Sequence, residues 1–362
     1  MSLAAGEVWR MNHLLTSRKL ALRGGIVAAS LLLTMFLCSL VGSGSVNFRN
    51  MLAGPPPADA GTFNIDYEIY VHTRLPRIFL AAIVGAALAC AGAVLQAILR
   101  NPLADPYLLG ISSGAGLGTM LAVITAGVSW SFWGISPITI SAFLCALVTV
   151  WIVWLLGGGG QKGGMSGLLL AGVVVNAFLS AVIMFLNSLA RPGQIQTTLF
   201  WLMGNITALE SYSLLWICAG VVLAGVLILL RWSASLNLLS FSPEEARSAG
   251  VNVKWLCQGC FAVSALITAV AVSLSGLVGF VGLIVPHGVR LFIGPDHRQL
   301  IPLSALVGAG FVVLADTVSR VVVAPAVMPV GVVTALAGGP FFLFLLVRYG
   351  GKFHGGGING GY

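Results

Sequence analysis

From residue 26 to residue 347 the chain is a succession of apolar runs about 20 residues long, parted by short stretches rich in glycine, proline and charge. In lipid only helices and closed barrels satisfy every backbone polar group, and a helix needs about 20 apolar residues to cross. Barrel strands alternate over roughly 10 residues, so these runs are of helix length. Only 28 of 362 residues are charged (18 Lys and Arg, 10 Asp and Glu), where an average soluble chain of this length has roughly 90. A water-soluble globular fold is excluded, and no polar stretch is long enough for a separate soluble domain. The expected fold class is an all-α integral membrane protein.

Ten transmembrane helices are expected, at 22–41, 77–98, 108–127, 135–156, 168–189, 212–230, 256–275, 277–293, 302–323 and 330–347. The seventh and eighth abut at Ser275-Gly276-Leu277, and are separated because 38 apolar residues exceed one crossing. This makes 1–21 a cytoplasmic N-terminal segment, 22–350 the ten-helix domain and 351–362 a flexible Gly-rich tail. With the N-terminus cytoplasmic, thirteen of the eighteen Lys and Arg lie inside, leaving Arg49, Arg74, Arg77, Arg191 and Arg320 outside. That split follows the positive-inside rule, puts both termini in the cytoplasm and accounts for the net charge of +8 without a nucleic-acid ligand. The first run is long for a secretory signal and no small-x-small site closes it, so it is expected to be a retained helix.

Several chemistries are missing from the sequence. A P-loop needs Gly-Lys-Ser/Thr; the stretch from Gly157 to Gly164 lacks it, and Gly351-Lys352 precedes Phe353. No ATP, other cofactor or metal is expected to bind this chain. The five histidines make no metal-ligand spacing, and Cys257-x-x-Cys260 has no second pair, so the cysteines read as packing residues. Gly114 and Gly118 have the GxxxG spacing of closely packed helices. Among the ten acids only Asp316 lies within a span, and Arg320 follows one turn later, which reads as a neutralised i,i+4 pair and not as a proton relay. An ion-coupled secondary transporter remains the alternative to a permease with an external energy supply.

Three stretches are more specific than span connections. The first is Thr73-Arg-Leu-Pro-Arg77 with Arg100-Asn-Pro-Leu-Ala-Asp-Pro106. The second runs from Ser242 to Gly250, and the third is Gly276-Leu-Val-Gly-Phe-Val-Gly-Leu-Ile-Val-Pro-His287, continuing to Leu314-Ala-Asp-Thr-Val-Ser-Arg320. In this order they resemble the FecCD-type permeases, the transmembrane subunits of ABC importers for vitamin B12, haem and ferric siderophores. The likeness runs from about residue 20 to 350 and implies the type II importer fold in a bacterial inner membrane. It also implies alternating access by a dimer of permeases, expected here as a homodimer, around a central path. Two ATP-binding subunits would dock beneath, and a periplasmic or extracellular substrate-binding protein would dock outside. Ferric siderophore is the expected substrate on the breadth of the family.

The resemblance also assigns residues. Arg74 and Arg77, with Arg320 as a third, match the family's docking arginines for acidic patches on the binding protein. Pro76 stiffens their segment, and an exposed guanidinium pair suits partner carboxylates, although an interfacial arginine also anchors to lipid headgroups. Ser242-x-x-Glu245 has the spacing of a capping box, Pro243 suits the first helical position and Gly250 supplies a stop, so a short helix is expected within about 240–252. By resemblance it is the ATPase coupling helix, with Glu244, Glu245, Ala246 and Arg247 on it; the family usually has Gly-Glu in place of Ser242-Pro243 and Leu in place of Ala249. The family's cytoplasmic gate maps onto Asn101, Leu103, Met165 and Ser166, with Met165 where a small polar residue is usual. Gly276, Gly279 and Gly282 recur every three residues and are expected to let span eight pack closely.

Overall fold

The structure, a computed structural model, describes residues 17–42, 44, 46–55, 64–125, 135–158, 164–207 and 212–353, and among these every regular element is helical. The chain opens with α1 (Ser17–Leu40) and a short α2 (Phe48–Leu52) capped by Asn47. Next, α3 (Ile65–Glu68) passes through a π-helical segment, Ile69–Arg74, into α4 (Leu75–Ile98). A 3-10 turn at Pro106–Leu109 leads to α5 (Ile111–Thr125), followed by α6 (Pro137–Leu156), α7 (Gly164–Leu189) and α8 (Pro192–Leu202). The second half holds α9 (Tyr212–Arg231), α10 (Ser233–Phe241), α11 (Pro243–Ser248), α12 (Val253–Ser275), α13 (Val281–Ile293), α14 (His297–Val321) and α15 (Val330–Phe353).

Among the described residues, seven helical stretches are long and apolar enough to cross a membrane: α1, α3–α4, α6, α7, α9, α12 and α14. Three shorter apolar helices, α5, α13 and the Val330–Phe344 part of α15, occupy the other expected positions. The 13 residues of α13 rise roughly 20 Å against a hydrocarbon core of about 30 Å. The expectation of a span over 277–293 is therefore corrected: residues 276–280 are not helical. Gly276 and Phe280 have φ of +63° and +67°, which end α12 and start α13. Among the three glycines, Gly282 lies close against Pro106 and the Leu88 carbonyl, Gly276 supplies the turn and abuts the Trp201 carbonyl, and Gly279 faces open space. Residues 17–21 already belong to α1, α15 continues to Phe353, and the expected tail beyond it lies outside the described residues.

Helix α4 is the axis of the bundle, and every residue from Ala87 to Leu99 is buried. Lipid offers no hydrophobic drive for helices to associate, so small residues that let backbones approach carry the packing. A Cβ on Gly85 would strike the Gly308 carbonyl of α14, and one on Gly92 the Gly282 carbonyl of α13. The Gly114 and Gly118 spacing works the same way, seating α5 on Thr149 and on the Ser141 carbonyl of α6. By contrast α1 is peripheral and largely exposed, as Leu22, Leu32, Leu33 and Phe36 show.

Candidate functional site: the two ends of the bundle and the broken-helix junction

At one end, the start of α4 meets the last turn of α14. The Arg77 Nε donates to both Asp316 oxygens, at 2.9 and 3.2 Å, and a terminal nitrogen lies 2.9 Å from Oδ1. The Arg320 Nε lies 3.1 Å from Asp316 Oδ2. The i,i+4 pair expected in span nine thus forms, and its carboxylate takes a second guanidinium from another helix. Asp316 is completely buried and the Arg320 side chain is 7% exposed. Arg74 donates to the carbonyls of Ser39, Leu40 and Gly44.

The expected exposed guanidinium pair is therefore corrected. Arg74 is buried, at 5% exposure, and only 13% of the Arg77 side chain is open. The cause is the end of α1, whose last carbonyls lack intrahelical donors and take them from Arg74. Arg320 adds a bond to the Val41 carbonyl. Two guanidinium groups share one carboxylate and the third, Arg74, is held by carbonyls alone, so the buried cluster carries surplus positive charge, which is costly away from water.

The opposite end carries the short polar helix. The Ser242 hydroxyl accepts from the Glu245 amide at 2.9 Å, Pro243 occupies the first turn and Gly250 has φ of +82°. Two acids in the first turn and Arg247 in the last suit the helix dipole. Glu244, Glu245 and Arg247 are exposed, while Ala246 is fully buried and pins α11 to the protein. The preceding α10 is an element that its sequence did not announce. Arg100 caps it by donating to the Leu239 and Phe241 carbonyls at 3.0 and 3.2 Å. Asn237 donates to Asp296 at 2.7 Å and accepts from the His297 amide at 2.8 Å. Burial alone would raise the Asp296 carboxyl, but donors from Arg298 and Asn237 hold it below its ordinary value.

Of the expected gate residues, Asn101 accepts from the Leu103 amide at 2.9 Å, and Leu103 is 40% exposed. Met165 and Ser166 lie in the first turn of α7, and their side chains are outside the described residues. Asp105 caps the 3-10 turn through the Tyr107 amide at 2.8 Å, and burial pushes its carboxyl up to about 6.

Between the ends lies a junction of chain breaks at which the third specific stretch, through Val278, meets Tyr107 just after the first, a contact that neither stretch foretold. The Tyr107 hydroxyl donates to the Val278 carbonyl at 3.1 Å and accepts from the Val278 amide at 3.0 Å. Asn176 of α7 donates to the Tyr107 carbonyl at 3.0 Å and accepts from Ser113 of α5 at 2.6 Å. The Asn205 amide donates to Ser275, and Gly204 and Gly331 both abut the Leu277 carbonyl. Non-helical backbone at membrane depth persists only inside protein or beside a water-filled cavity. Two cavities flank α8 here, of about 490 Å³ beside Gln196, Thr197 and Trp201 and about 410 Å³ beside Leu199 and Leu202. The signal available in the sequence was the pair of amides, Asn176 and Asn187, in an otherwise apolar run.

The sequence profile of the FecCD transport family matches residues 30–348. The chain is 38% identical over 308 residues to the hemin transport system permease protein HmuU of Yersinia pestis, covering 85% of this chain and 90% of that one. It is 43% identical over 281 residues to the cobalamin import system permease protein BtuC of Halobacterium salinarum, covering 77% and 73%. Its fold matches a solved ABC transporter described as metal-chelate type, in an inward-facing conformation, with a TM-score of 0.74 and 30% identity over 90% of this chain and 99% of that one. With seven long apolar helices, three shorter ones and this match along nearly its whole length, the chain belongs to the FecCD transport family and is an ABC-transporter permease.

Proposed function

We propose that this chain is the translocating subunit of an importer for a ferric siderophore, haem or cobalamin, working by alternating access in a bacterial inner membrane. The observation that carries this reading is α11, a capped and exposed polar helix that directly follows α10, which Arg100 and Asn237 strap to the end of α4 and the start of α14. A rigid link of this kind passes a push on α11 directly to the central helices. Two ATPase subunits supply that push at Ser242–Gly250, and a second copy of this chain completes the path.

A binding protein docks at the opposite end, where the surplus positive charge of Arg74, Arg77 and Arg320 favours an acidic partner surface. The distribution of Lys and Arg supports cytoplasmic termini and α11 on the cytoplasmic side. Asn101, Leu103, Met165 and Ser166 form the inner gate. Co-purification and transport test the reading together. The chain is expected to form a stable complex with nucleotide-binding subunits, and uptake should stop on ATP depletion but survive an uncoupler. Uptake that an uncoupler abolishes while ATP is maintained would replace this reading with an ion-coupled carrier.

A further inference from the structure

The cavity of about 410 Å³ between α5, α7 and α8 has a one-sided chemistry. Helix α7 presents Asn176, Ser180 and Asn187 along one face together with Ile183 and Met184, a strip roughly 16 Å long at 1.5 Å per residue. Ser112 faces them from α5, and Leu199 and Leu202 close the wall from α8. Asn176 is already engaged by Tyr107 and Ser113. Asn187 is not: its Oδ1 is shielded from water and has no donor among the described residues. A shielded amide oxygen without a donor is unfavourable, and it gains a bond when a ligand N–H or O–H arrives.

The same three helices hold no Asp, Glu, Lys, Arg or His anywhere in their length. A polyanion entering such a cavity would shed water with no counter-charge to receive it, whereas amides and hydroxyls exchange one hydrogen-bond partner for another. We infer that this cavity is a stretch of the substrate path that selects a metal chelate with an uncharged, amide- or hydroxyl-bearing periphery over a polyanionic one. The inference rests on the importer reading above and narrows its substrate.

The test uses the complete transporter, with its nucleotide-binding and binding-protein partners, in proteoliposomes supplied with ATP. The probes are cyanocobalamin and a ferric hydroxamate on one side, and haem and a ferric tris-catecholate on the other. At least one uncharged-periphery probe is expected to accumulate about tenfold faster than either anionic probe. Uptake of haem or the catecholate at a comparable or higher rate would overturn the selection. If no probe accumulates while ATP is hydrolysed, the importer reading itself fails and the inference falls with it. Two variants read the site independently of folding. Asn187→Leu should lower uptake about fivefold, while Asn187→Gln, which keeps a neutral amide acceptor, should stay within about twofold of the parent, both normalised to the amount of assembled complex. Equal losses in the two, or a deeper loss in Asn187→Gln, would show that no donor on the substrate meets this position.

Discussion

Arg77 and Asp316 stand 239 residues apart in the chain, and their side chains meet at 2.9 Å where the first turn of α4 crosses the last turn of α14. The carboxylate is wholly buried and also holds Arg320. Breaking a buried pair by removing one partner typically costs 3–5 kcal/mol. Asp316→Ala, which strands two guanidinium groups, should therefore lower the thermal unfolding temperature of the purified protein markedly. Arg320→Ala should cost less, because Arg77 still neutralises the acid. An Asp316→Ala protein as stable as its parent would show that water or lipid reaches the cluster.

Glycine packing gives a matched pair of substitutions. Gly92→Ala forces a methyl group into the Gly282 carbonyl and must part α4 from α13, for a loss of about 1–3 kcal/mol. Gly279→Ala meets nothing and should stay within about 0.5 kcal/mol of the parent. Unfolding measured side by side on the two variants checks the contrast, and equal effects would contradict the geometry.

Helix α11 predicts a functional loss without a structural one. Charge reversal at Glu244, Glu245 and Arg247 alters exposed groups only, so the unfolding temperature should hold while substrate-stimulated ATPase activity in the assembled complex falls severalfold. Ser242→Ala removes the N-cap and should loosen α11 by about 1 kcal/mol, visible as faster amide exchange at Glu245. Full coupling in the reversed variant would place the ATPase contact elsewhere.

Asp105 predicts a pH dependence. Its folded carboxyl sits at about 6 because burial disfavours the charge, while an unfolded aspartate titrates near 3.9. Between these values the folded chain binds more protons than the unfolded one, so this group lowers stability as pH rises through the window. Asp105→Asn keeps an acceptor for the Tyr107 amide and never ionises. Its advantage over the parent should be absent near pH 4 and fully developed by about pH 7. A stability difference that is flat across that range would count against the buried carboxylate.

Much of this architecture could be read from the sequence because lipid imposes a simple rule on backbone groups. The long spans, the α5–α6 glycine contact, the Asp316–Arg320 pair and the caps of α11 all follow from spacing along one helix. What escaped depends on contacts between distant segments. Neighbouring spacing cannot say that Arg74 will close the end of α1, or that Asp316 will recruit Arg77 from another helix. Nor does hydropathy register the break at 276–280, since Leu277 and Val278 are as apolar there as in any helix. The turn is set by backbone angles and by Trp201, Gly204 and Tyr107 packed around it. The candidate site shows the same division: the polar helix was legible, and the junction beside the cavities was not.

Helix α1 touches the bundle with little of its surface, yet it is laced at both ends. Near its start Arg23 donates to Gln299 at 2.7 Å, and past its end Arg74 and Arg320 bind the carbonyls of residues 39–41 and Gly44. Because Arg320 grips Asp316 and Val41 together, any pull on the last turn of α14 is felt at once by the first helix of the chain, which turns a peripheral strand of the bundle into its tension member.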